Sequence, residues 1–358
     1  MGCKRIDGDR ADTRKEINMK THDVLLLYSS TVDVILEMEG TFPILGGTSR
    51  QVIDLQMEPG GEGNILLAFN RMGGNILPTG PIGEDHYADF LRRVMEKERV
   101  DLSAMCVVSG FQPPIAHCII DAEGTHSFVS SLASADYARE EEVIALLEQC
   151  RGMCLSGYYL IDPEEPFYGL SLHLAAHAAE LGMPVFFDPG PLADKILPEA
   201  MQQVYRDCAV LCMNDTEAHI LSGAAEPEQA AERLCGLTQA LVIVKAGGRG
   251  CYVRQGTNAG RWYDGFRVRT VDTMGAGDSF LGALMFAWIS GGDLDTCITL
   301  ANAAGAVKVS KYGTGTKVPT FGEMVAILEE NGYNIPAECK NDRSFAKFRV
   351  KKASASEE

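Results

Sequence analysis

A turn that leads into a helix is predicted by the segment Val271-Asp272-Thr273-Met274-Gly275-Ala276-Gly277-Asp278-Ser279-Phe280. Apolar residues recur at helical spacing from Leu281 onward, so we expect the helix to begin near Gly277. The first N–H groups of a helix have no partner within it and lie at the positive end of its dipole. Because Gly275 and Gly277 leave the backbone open to close approach, the segment predicts a socket for an anion.

Asp278 falls in the first turn of that helix, where two interpretations compete. An aspartate that only caps a helix after a glycine turn is common, and the short pattern alone favours that role. A carboxylate does not suit simple phosphate binding, since like charges repel. It does suit a general base that takes a proton from a hydroxyl while the N–H groups hold a transferring phosphoryl group. Phe280 stands where a dinucleotide-binding fingerprint needs its third glycine, and no P-loop pattern occurs.

Composition excludes several classes of protein. The net charge of −17 argues against a nucleic-acid partner, which needs a basic surface. No apolar run approaches the roughly 20 residues that span a bilayer, so we expect no membrane partner. The polar N-terminus lacks a signal-peptide core, which favours a cytoplasmic protein. The 11 cysteines form no C-x-x-C pair, and we expect them to be reduced and buried.

Short apolar runs alternate with helical patterns along the chain. The expected strands are residues 24–28, 153–156, 185–188, 210–213 and 241–245. The expected helices are residues 64–72, 87–98, 140–149, 170–181 and 228–235. Strands that alternate with helices predict an α/β fold with a mostly parallel sheet covered by helices on both faces.

A second pattern lies in residues 33–57 and 112–132. Strand-like residues 115–121 and 125–130 flank Asp121-Ala122-Glu123-Gly124, which is a hairpin signal. With residues 34–36 and 51–56 they predict a small antiparallel sheet that covers a substrate as a lid. An exposed strand needs covering, so we expect a homodimer through the lid.

The segment around Asp278 resembles the C-terminal signature of the PfkB (ribokinase-like) carbohydrate kinase family. Further family elements follow in order across roughly residues 22–332. They are Pro59-Gly60-Gly61-Glu62-Gly63-Asn64 with Arg71-Met72-Gly73, Gly80-Pro81-Ile82-Gly83-Glu84-Asp85, Asn214-Asp215-Thr216-Glu217, Val244-Lys245-Ala246-Gly247-Gly248-Arg249-Gly250, and Asn302-Ala303-Ala304-Gly305-Ala306 before Gly313 and Pro319. The resemblance implies a ribokinase-like three-layer α/β/α sandwich with a small β-sheet lid.

The resemblance also implies an activity, the ATP-dependent phosphorylation of a hydroxyl group on a small sugar or sugar-like substrate. Asp278 would be the general base, and the backbone of Gly275, Ala276 and Gly277 would form the anion hole. The implied kinase domain covers residues 22–335, between a disordered segment, 1–21, and a polar tail, 336–358.

Other site residues follow from the resemblance alone. The implied acceptor-binding residues are Asp33, Thr31, Gly60, Gly61 and Asn64. The implied ATP-binding residues are Asn214, Lys245, Gly247, Gly250 and Asn302. Glu217 and Asn214 would organise Mg²⁺ through water, although Asn-x-x-Glu is also a capping box, and the two roles can coexist. Asn302 would line the adenine pocket, unless it is an amide on a helix surface.

The chain departs from the family pattern before Asp33, where Tyr28 replaces a glycine and Thr31 an asparagine. A hydroxylated substrate is still expected, but ribose itself is put in doubt. Lys317 lies near positions that hold a monovalent cation in some members. Its ammonium group would replace that ion, or it is a solvated loop lysine, so K⁺ dependence stays open.

Two alternatives to a sugar kinase remain. A nucleoside kinase of the same fold would use stacking aromatic residues, and Phe111, Phe128 and Tyr137 near the lid are candidates, though core packing explains them equally well. A non-catalytic ligand-binding homologue is the other alternative. The intact Asp278 with both glycines argues against it.

Overall fold

A computed structural model of the protein describes residues 4–5, 20–335 and 350–352. Its strands are β1 (Lys4–Arg5), β2 (Val24–Leu27), β3 (Val32–Met38), β4 (Val52–Pro59), β5 (Ile76–Ile82), β6 (Met105–Val107), β7 (Ile115–Ile120), β8 (His126–Ser130), β9 (Gly152–Ser156), β10 (Val185–Asp188), β11 (Val210–Asn214), β12 (Leu241–Lys245), β13 (Cys251–Gln255), β14 (Arg261–Tyr263), β15 (Tyr333–Asn334) and β16 (Lys351–Lys352). Its α-helices are α1 (Glu62–Met72), α2 (His86–Lys97), α3 (Glu140–Leu147), α4 (Pro166–Glu180), α5 (Pro198–Asp207), α6 (Asp215–Ser222), α7 (Pro227–Cys235), α8 (Ala276–Ile289), α9 (Leu294–Val309) and α10 (Phe321–Glu330).

The large sheet has the order β1-β6-β5-β2-β9-β10-β11-β12-β13-β14 within the described residues. From β6 to β12 every neighbouring pair is parallel, whereas β1, β13 and β14 pair antiparallel. All four residues of β2 are buried, as expected for a strand covered on both faces. The predicted mostly parallel sheet with helical layers is confirmed.

The smaller sheet, which we call the lid sheet, has the order β4-β3-β7-β8. The predicted hairpin is confirmed, because β7 and β8 pair antiparallel and Asp121 N donates to Thr125 O at 3.2 Å. The prediction that the whole sheet is antiparallel is wrong, because β3 and β7 run parallel. They are not joined by a hairpin. The elements β4, α1, β5, α2 and β6 lie between them in the chain, and that connection brings β7 back in the direction of β3.

Packing of α1 and α9 against α8 sets the position of the predicted active-site turn. A Cβ atom on Gly282 of α8 would lie 2.7 Å from Ala68 Cβ and 3.0 Å from Phe69 N, both in α1. Glycine therefore lets the two helix backbones come close. Residues of α8 are buried almost all round, so its first turn is held in place by the core.

Several sequence predictions concern other parts of the chain. The segment 1–21, which is predicted to be disordered, and the predicted polar tail 336–358 lie mostly outside the described residues, and the domain boundaries stay a prediction. Eight of the described cysteines are free and buried, but Cys106 is disulfide-bonded, so the expectation that all are reduced is wrong there. In the described part of the chain, no helix has the length and apolarity needed to cross a membrane.

Candidate active site

Four neighbouring parallel strands, β9 to β12, end in polar side chains. Asp188 ends β10 opposite Ser156 of β9, and Asn214 ends β11 opposite Lys245 of β12. We call these four residues the carboxyl edge. Because the carboxyl ends of parallel strands meet at one edge of a sheet, backbone register alone brings these groups together.

The turn before α8 lies over this edge. Gly275 has φ 68°, a left-handed conformation that favours glycine, and the helix begins at Ala276. A Cβ atom on Gly277 would lie 3.0 Å from Lys245 Nζ, so the ammonium group faces the helix start. Ala276 N donates to Thr273 O at 3.2 Å, which ties one of the three predicted anion-hole amides into the turn.

Asp278 lies in the first turn of α8, as the sequence predicts. Burial, followed by the charges of Asp188, Asp33 and Glu62, raises its pKa to about 7, and Lys245 opposes the rise. Lys245 Nζ in turn donates to Asp188 Oδ2 at 3.2 Å. A carboxyl group that titrates near neutral pH is well suited to general base catalysis, because it can both accept and release a proton there.

Asn214 and Glu217 form the capping box of α6. Asn214 N and Nδ2 donate to the two Glu217 carboxylate oxygens at 2.8 Å and 2.7 Å, and Glu217 N donates back to Asn214 Oδ1 at 2.8 Å. Burial and the neighbouring Asp188 raise the pKa of Glu217 to about 7. The capping role of the two residues is therefore present. The Glu217 carboxylate also lies near the negative charge of Asp188, which the positive charge of Lys245 only partly offsets.

The loop after β12 forms the expected nucleotide side of the site. Gly247 is exposed with φ 55°, and Gly250 has φ 92°. A side chain on Gly250 would overlap Tyr263 O, so this loop packs closely on the segment after β14. Asn302 supports the same segment, because its Nδ2 donates to Asp264 O at 3.4 Å. Asn302 is buried, so the interpretation of it as a helix-surface amide is wrong.

The acceptor side is built around Asp33 of β3. A side chain on Gly60 would overlap Asp33 Oδ1, so glycine there allows the carboxylate to lie against the backbone. Thr31 borders the same turn, since Gly60 N donates to Thr31 O at 2.9 Å and a Cβ on Gly61 would lie 3.3 Å from Thr31 Oγ1. Burial raises the pKa of Asp33 to about 6, although a hydrogen bond from Thr314 opposes this.

Residues 313–318, which we call the clamp loop, join the acceptor side to the helix start. Hydrogen bonds link this loop to residues far away in the sequence, and Arg71 is the donor in two of them. The donors and acceptors are Gly313 N to Asp272 Oδ2 at 2.8 Å, Thr314 Oγ1 to Asp33 Oδ2 at 2.9 Å, Gly315 N to Asn64 Oδ1 at 2.6 Å, Thr316 N to Glu58 Oε2 at 2.9 Å, and Arg71 Nη1 to Thr316 O and Val318 O at 2.8 Å and 2.9 Å. Asn64 is thus engaged by the clamp loop.

The lid sheet packs directly on the turn before α8. Ile35, Cys118 and Ile120 form a small buried cluster against Met274 and Tyr312. Cys118 Sγ lies 3.1 Å from Met274 Sδ. The lid sheet therefore closes over the segment that carries Asp278.

Residues 22–321 match the pfkB family of carbohydrate kinases. The chain belongs to this family. The predicted family membership and the class of carbohydrate kinase are thus confirmed.

Relatives of this pfkB-family chain differ in the substrate that their names give. Fructokinase-1 of Zea mays is 27% identical over 292 residues, which cover 76% of this chain and 88% of the fructokinase. A ribokinase structure from Thermotoga maritima has a TM-score of 0.72 at 25% identity and covers 86% of this chain and 99% of its own. A Burkholderia thailandensis nucleoside kinase in complex with inosine has a TM-score of 0.69 at 22% identity, covering 87% and 99%.

The candidate stacking residues of this pfkB-family chain have structural positions. Tyr137 is buried, shares a 3.1 Å hydrogen bond with Thr79 Oγ1 and packs edge-on against Phe167 at 5.8 Å between ring centroids. Phe111 is buried, whereas Phe128 is exposed on β8. These three rings do not form one stacking surface.

The structure adds residues that sequence reasoning missed. Asp188 was predicted only as the end of a strand, although a carboxylate at that place in a parallel sheet is itself a signal. Glu58 precedes the glycine pair and is buried, holding Thr316 as described. Glu58 also pairs with Lys317, whose Nζ lies 3.5 Å away on a half-exposed side chain. Lys317 therefore serves the clamp loop, and nothing in its contacts supports it as a substitute for a monovalent cation.

Proposed function

We propose that the chain transfers the γ-phosphoryl group of ATP to a hydroxyl group of a small neutral sugar or polyol. The observation that carries this proposal is the position of Asp278. Its carboxylate lies in the first turn of α8, beside the Lys245 ammonium group, and has a pKa of about 7. Few structural roles require a half-buried carboxylate at the positive end of a helix with a titration point near neutrality.

The chemistry follows from these positions. Asp278 accepts the proton of the acceptor hydroxyl while the oxygen forms a bond to the γ-phosphorus, and the bond from that phosphorus to the β–γ bridging oxygen breaks to release ADP. The amides of Gly275 and Gly277, with the positive end of α8, stabilise charge on the phosphoryl oxygens. Lys245 adds a positive charge at the same place.

Mg²⁺ fits the carboxyl edge by the chemistry of its donors. Asp188, Asn214 and Glu217 offer the hard oxygen ligands that Mg²⁺ prefers. Burial first, and then the charge of Asp188, raise the pKa of Glu217, and a bound cation would oppose that rise. Among the described residues no three acidic, histidine or cysteine side chains cluster as a direct metal site. The side-chain oxygens of Glu217 and Asn214 already accept hydrogen bonds within the capping box, so the two residues would hold the ion through water. When bound with ATP, Mg²⁺ would offset the charge of the phosphates.

Asp33 defines the acceptor as a hydroxylated molecule. Its Oδ2 accepts a hydrogen bond from Thr314, and its Oδ1 lies against the Gly60 backbone, so the carboxylate is oriented before a ligand arrives. A carboxylate with free lone pairs accepts hydrogen bonds from sugar hydroxyls. The positions of Phe111, Phe128 and Tyr137 favour a sugar over a nucleoside.

A substrate panel tests the proposal. Purified protein is assayed for ADP release with MgATP and each of a set of hexoses, pentoses, polyols and nucleosides. We expect turnover with one or more sugars or polyols, with mass spectrometry showing one added phosphoryl group. Turnover with nucleosides alone would move the assignment to nucleoside kinase, and no turnover with any acceptor would support the non-catalytic alternative.

We also propose that the chain forms a homodimer through the lid sheet. The edge strands β4 and β8 expose Ile53, Leu55, Phe128 and Val129, each more than half accessible. A second copy would cover these apolar groups. Light scattering after gel filtration should give twice the chain mass, and the double variant Ile53→Lys with Leu55→Lys should give a monomer.

A further inference from the structure

Lys308 is a fully buried lysine in the last turn of α9. Its exposed fraction is 0%, and it ranks among the largest side chains completely removed from solvent. Burying an ammonium group is costly unless nearby negative charges and hydrogen bonds compensate it. The mechanism proposed above gives this buried ammonium group no role.

The contacts of Lys308 place it directly behind the anion-hole turn. Its Nζ donates to Lys311 O at 3.3 Å. Its Cε lies 3.6 Å from where a Cβ on Gly275 would be. The end of α9 is joined to the same turn, because the backbone N–H groups of Val271 and Asp272 both donate to Val309 O, at 2.7 Å and 3.1 Å.

Asp272 supplies the opposing charge. Its Oδ1 accepts from Met274 N at 2.9 Å, and its Oδ2 accepts from Gly313 N at 2.8 Å. This buried carboxylate therefore joins the anion-hole turn to the clamp loop. Burial lowers the pKa of Lys308, while attraction to Asp272 and Asp278 opposes that change and repulsion from Lys311 adds to it.

Building on the proposed kinase activity, we propose that Lys308 is a positioning residue, an internal cation beneath the turn that binds the phosphoryl group. Its ammonium group balances Asp272, keeps the amides of residues 275–277 in place, and adds positive potential behind them. Because the charge belongs to the chain, turnover needs no added monovalent cation. The rate should be the same in potassium, sodium and choline chloride.

The first test compares Lys308→Met with Lys97→Met. Both lysines lie in the last turn of a helix, but Lys97 is exposed. Methionine keeps the volume and removes the charge, but it leaves the buried Asp272 carboxylate without its opposing cation, so Lys308→Met should fold with a lower Tm than the wild type. We expect kcat to fall about 10-fold to 100-fold, less than for loss of a donor that touches the phosphoryl group, with the KM for ATP within about twofold. A wild-type kcat in Lys308→Met would overturn the proposal.

Chemical rescue separates a charge effect from a packing effect. Lys308→Ala should lose activity in choline chloride and regain part of it when ammonium or methylammonium chloride is added. The wild type and Lys97→Met should not respond to these salts. Failure of both cations to restore the rate, with the cavity variant still folded, would assign Lys308 a packing role and overturn the proposal.

The pH profile gives an independent readout. In the wild type, kcat should fall at alkaline pH as Lys308 loses its proton, at a lower pH than an ordinary lysine. The groups that face this ammonium group are Asp272, Asp278 and Lys311. Lys308→Met should lack that alkaline fall, and an unchanged profile would count against the assignment.

Binding of a phosphoryl mimic tests the inference without turnover. ADP, Mg²⁺ and aluminium fluoride should raise the Tm of the wild type and of Lys97→Met, and raise that of Lys308→Met far less. If the wild type turns over no acceptor but this difference persists, the proposed function fails while the role of Lys308 stands. Equal Tm shifts in all three proteins would overturn the role of Lys308 alone.

Discussion

The carboxyl edge and the clamp loop hold the two sides of the active site by different means. At the carboxyl edge, Asp188, Asn214 and Lys245 each end a parallel strand, so the ladder of the sheet sets their positions. In the clamp loop, Thr314 and Gly315 are held by side-chain hydrogen bonds to Asp33 and Asn64, 281 and 251 residues earlier in the chain.

This difference suggests that the carboxyl edge serves phosphoryl transfer and that the clamp loop serves the choice of acceptor. Packing of the core holds the strands in register, so the residues at their ends are held rigidly. Rigid placement suits the residues that take part in phosphoryl transfer. Side-chain hydrogen bonds between a loop and distant residues can change without disturbing the sheet. We therefore expect variants at the helix start and carboxyl edge to change kcat, and variants around the clamp loop to change the KM for the acceptor.

The largest expected effect is that of Asp278→Asn. Removing the base should lower kcat by about 10²-fold to 10⁴-fold, because asparagine cannot accept the hydroxyl proton. The Kd for ATP, measured by calorimetry, should stay within a factor of about three, since an amide of equal size keeps the helix start in place. Asp89→Asn is the matched control, an exposed aspartate in the first turn of α2. Retained turnover in Asp278→Asn would show that another group is the base.

A smaller effect is expected for Gly60→Ala. The added methyl group would overlap Asp33 Oδ1 and displace the carboxylate. The acceptor KM should rise at least about tenfold, equivalent to about 1.4 kcal/mol, while the KM for ATP changes little. Gly169→Ala, where the methyl group meets open space, controls for the general effect of the substitution. Equal losses for both substrates would remove Asp33 from the acceptor site.

The fold and the site differ in how far sequence could predict them. Strands 185–188 and 241–245 were predicted with the bounds that the structure shows, because each is a buried apolar run. β5 was missed, since Pro78, Gly80 and Pro81 interrupt its pattern. The parallel pairing of β3 with β7 was also missed, because local sequence does not record which distant strands meet.

The site residues likewise fall into two groups, those that belong to a local sequence motif and those whose partners are distant in the sequence. Asp278 and the glycines of its turn could be predicted, because a local motif and helix chemistry suffice. The partners of the clamp loop could not, since a hydrogen bond such as Thr316 to Glu58 spans 258 residues and leaves no local pattern. Lys308 was missed for a similar reason, because only packing distinguishes a buried lysine from a surface one.

The smallest effect is expected for Glu58→Gln, which weakens the link to Thr316 and Lys317. Loss of a charge-assisted hydrogen bond costs about 1–3 kcal/mol of stability at most, and part of it should appear as an acceptor KM raised about threefold. Thermal unfolding and initial rates measure both effects. Glu84→Gln, at an exposed glutamate, should change neither. A fall in kcat with unchanged acceptor KM would contradict the division between the two regions.

The pH dependence of kcat/KM tests the central claim, that Asp278 is a base set near neutrality by the carboxyl edge. A base must be deprotonated to act, so the rate should rise with pH through a midpoint near 7. Lys245→Met removes the charge that opposes the raised pKa and should move the midpoint upward. Asp188→Asn removes a charge that raises it and should move the midpoint downward. A midpoint near 3.8, the ordinary value for aspartate, that neither variant moves would contradict the account.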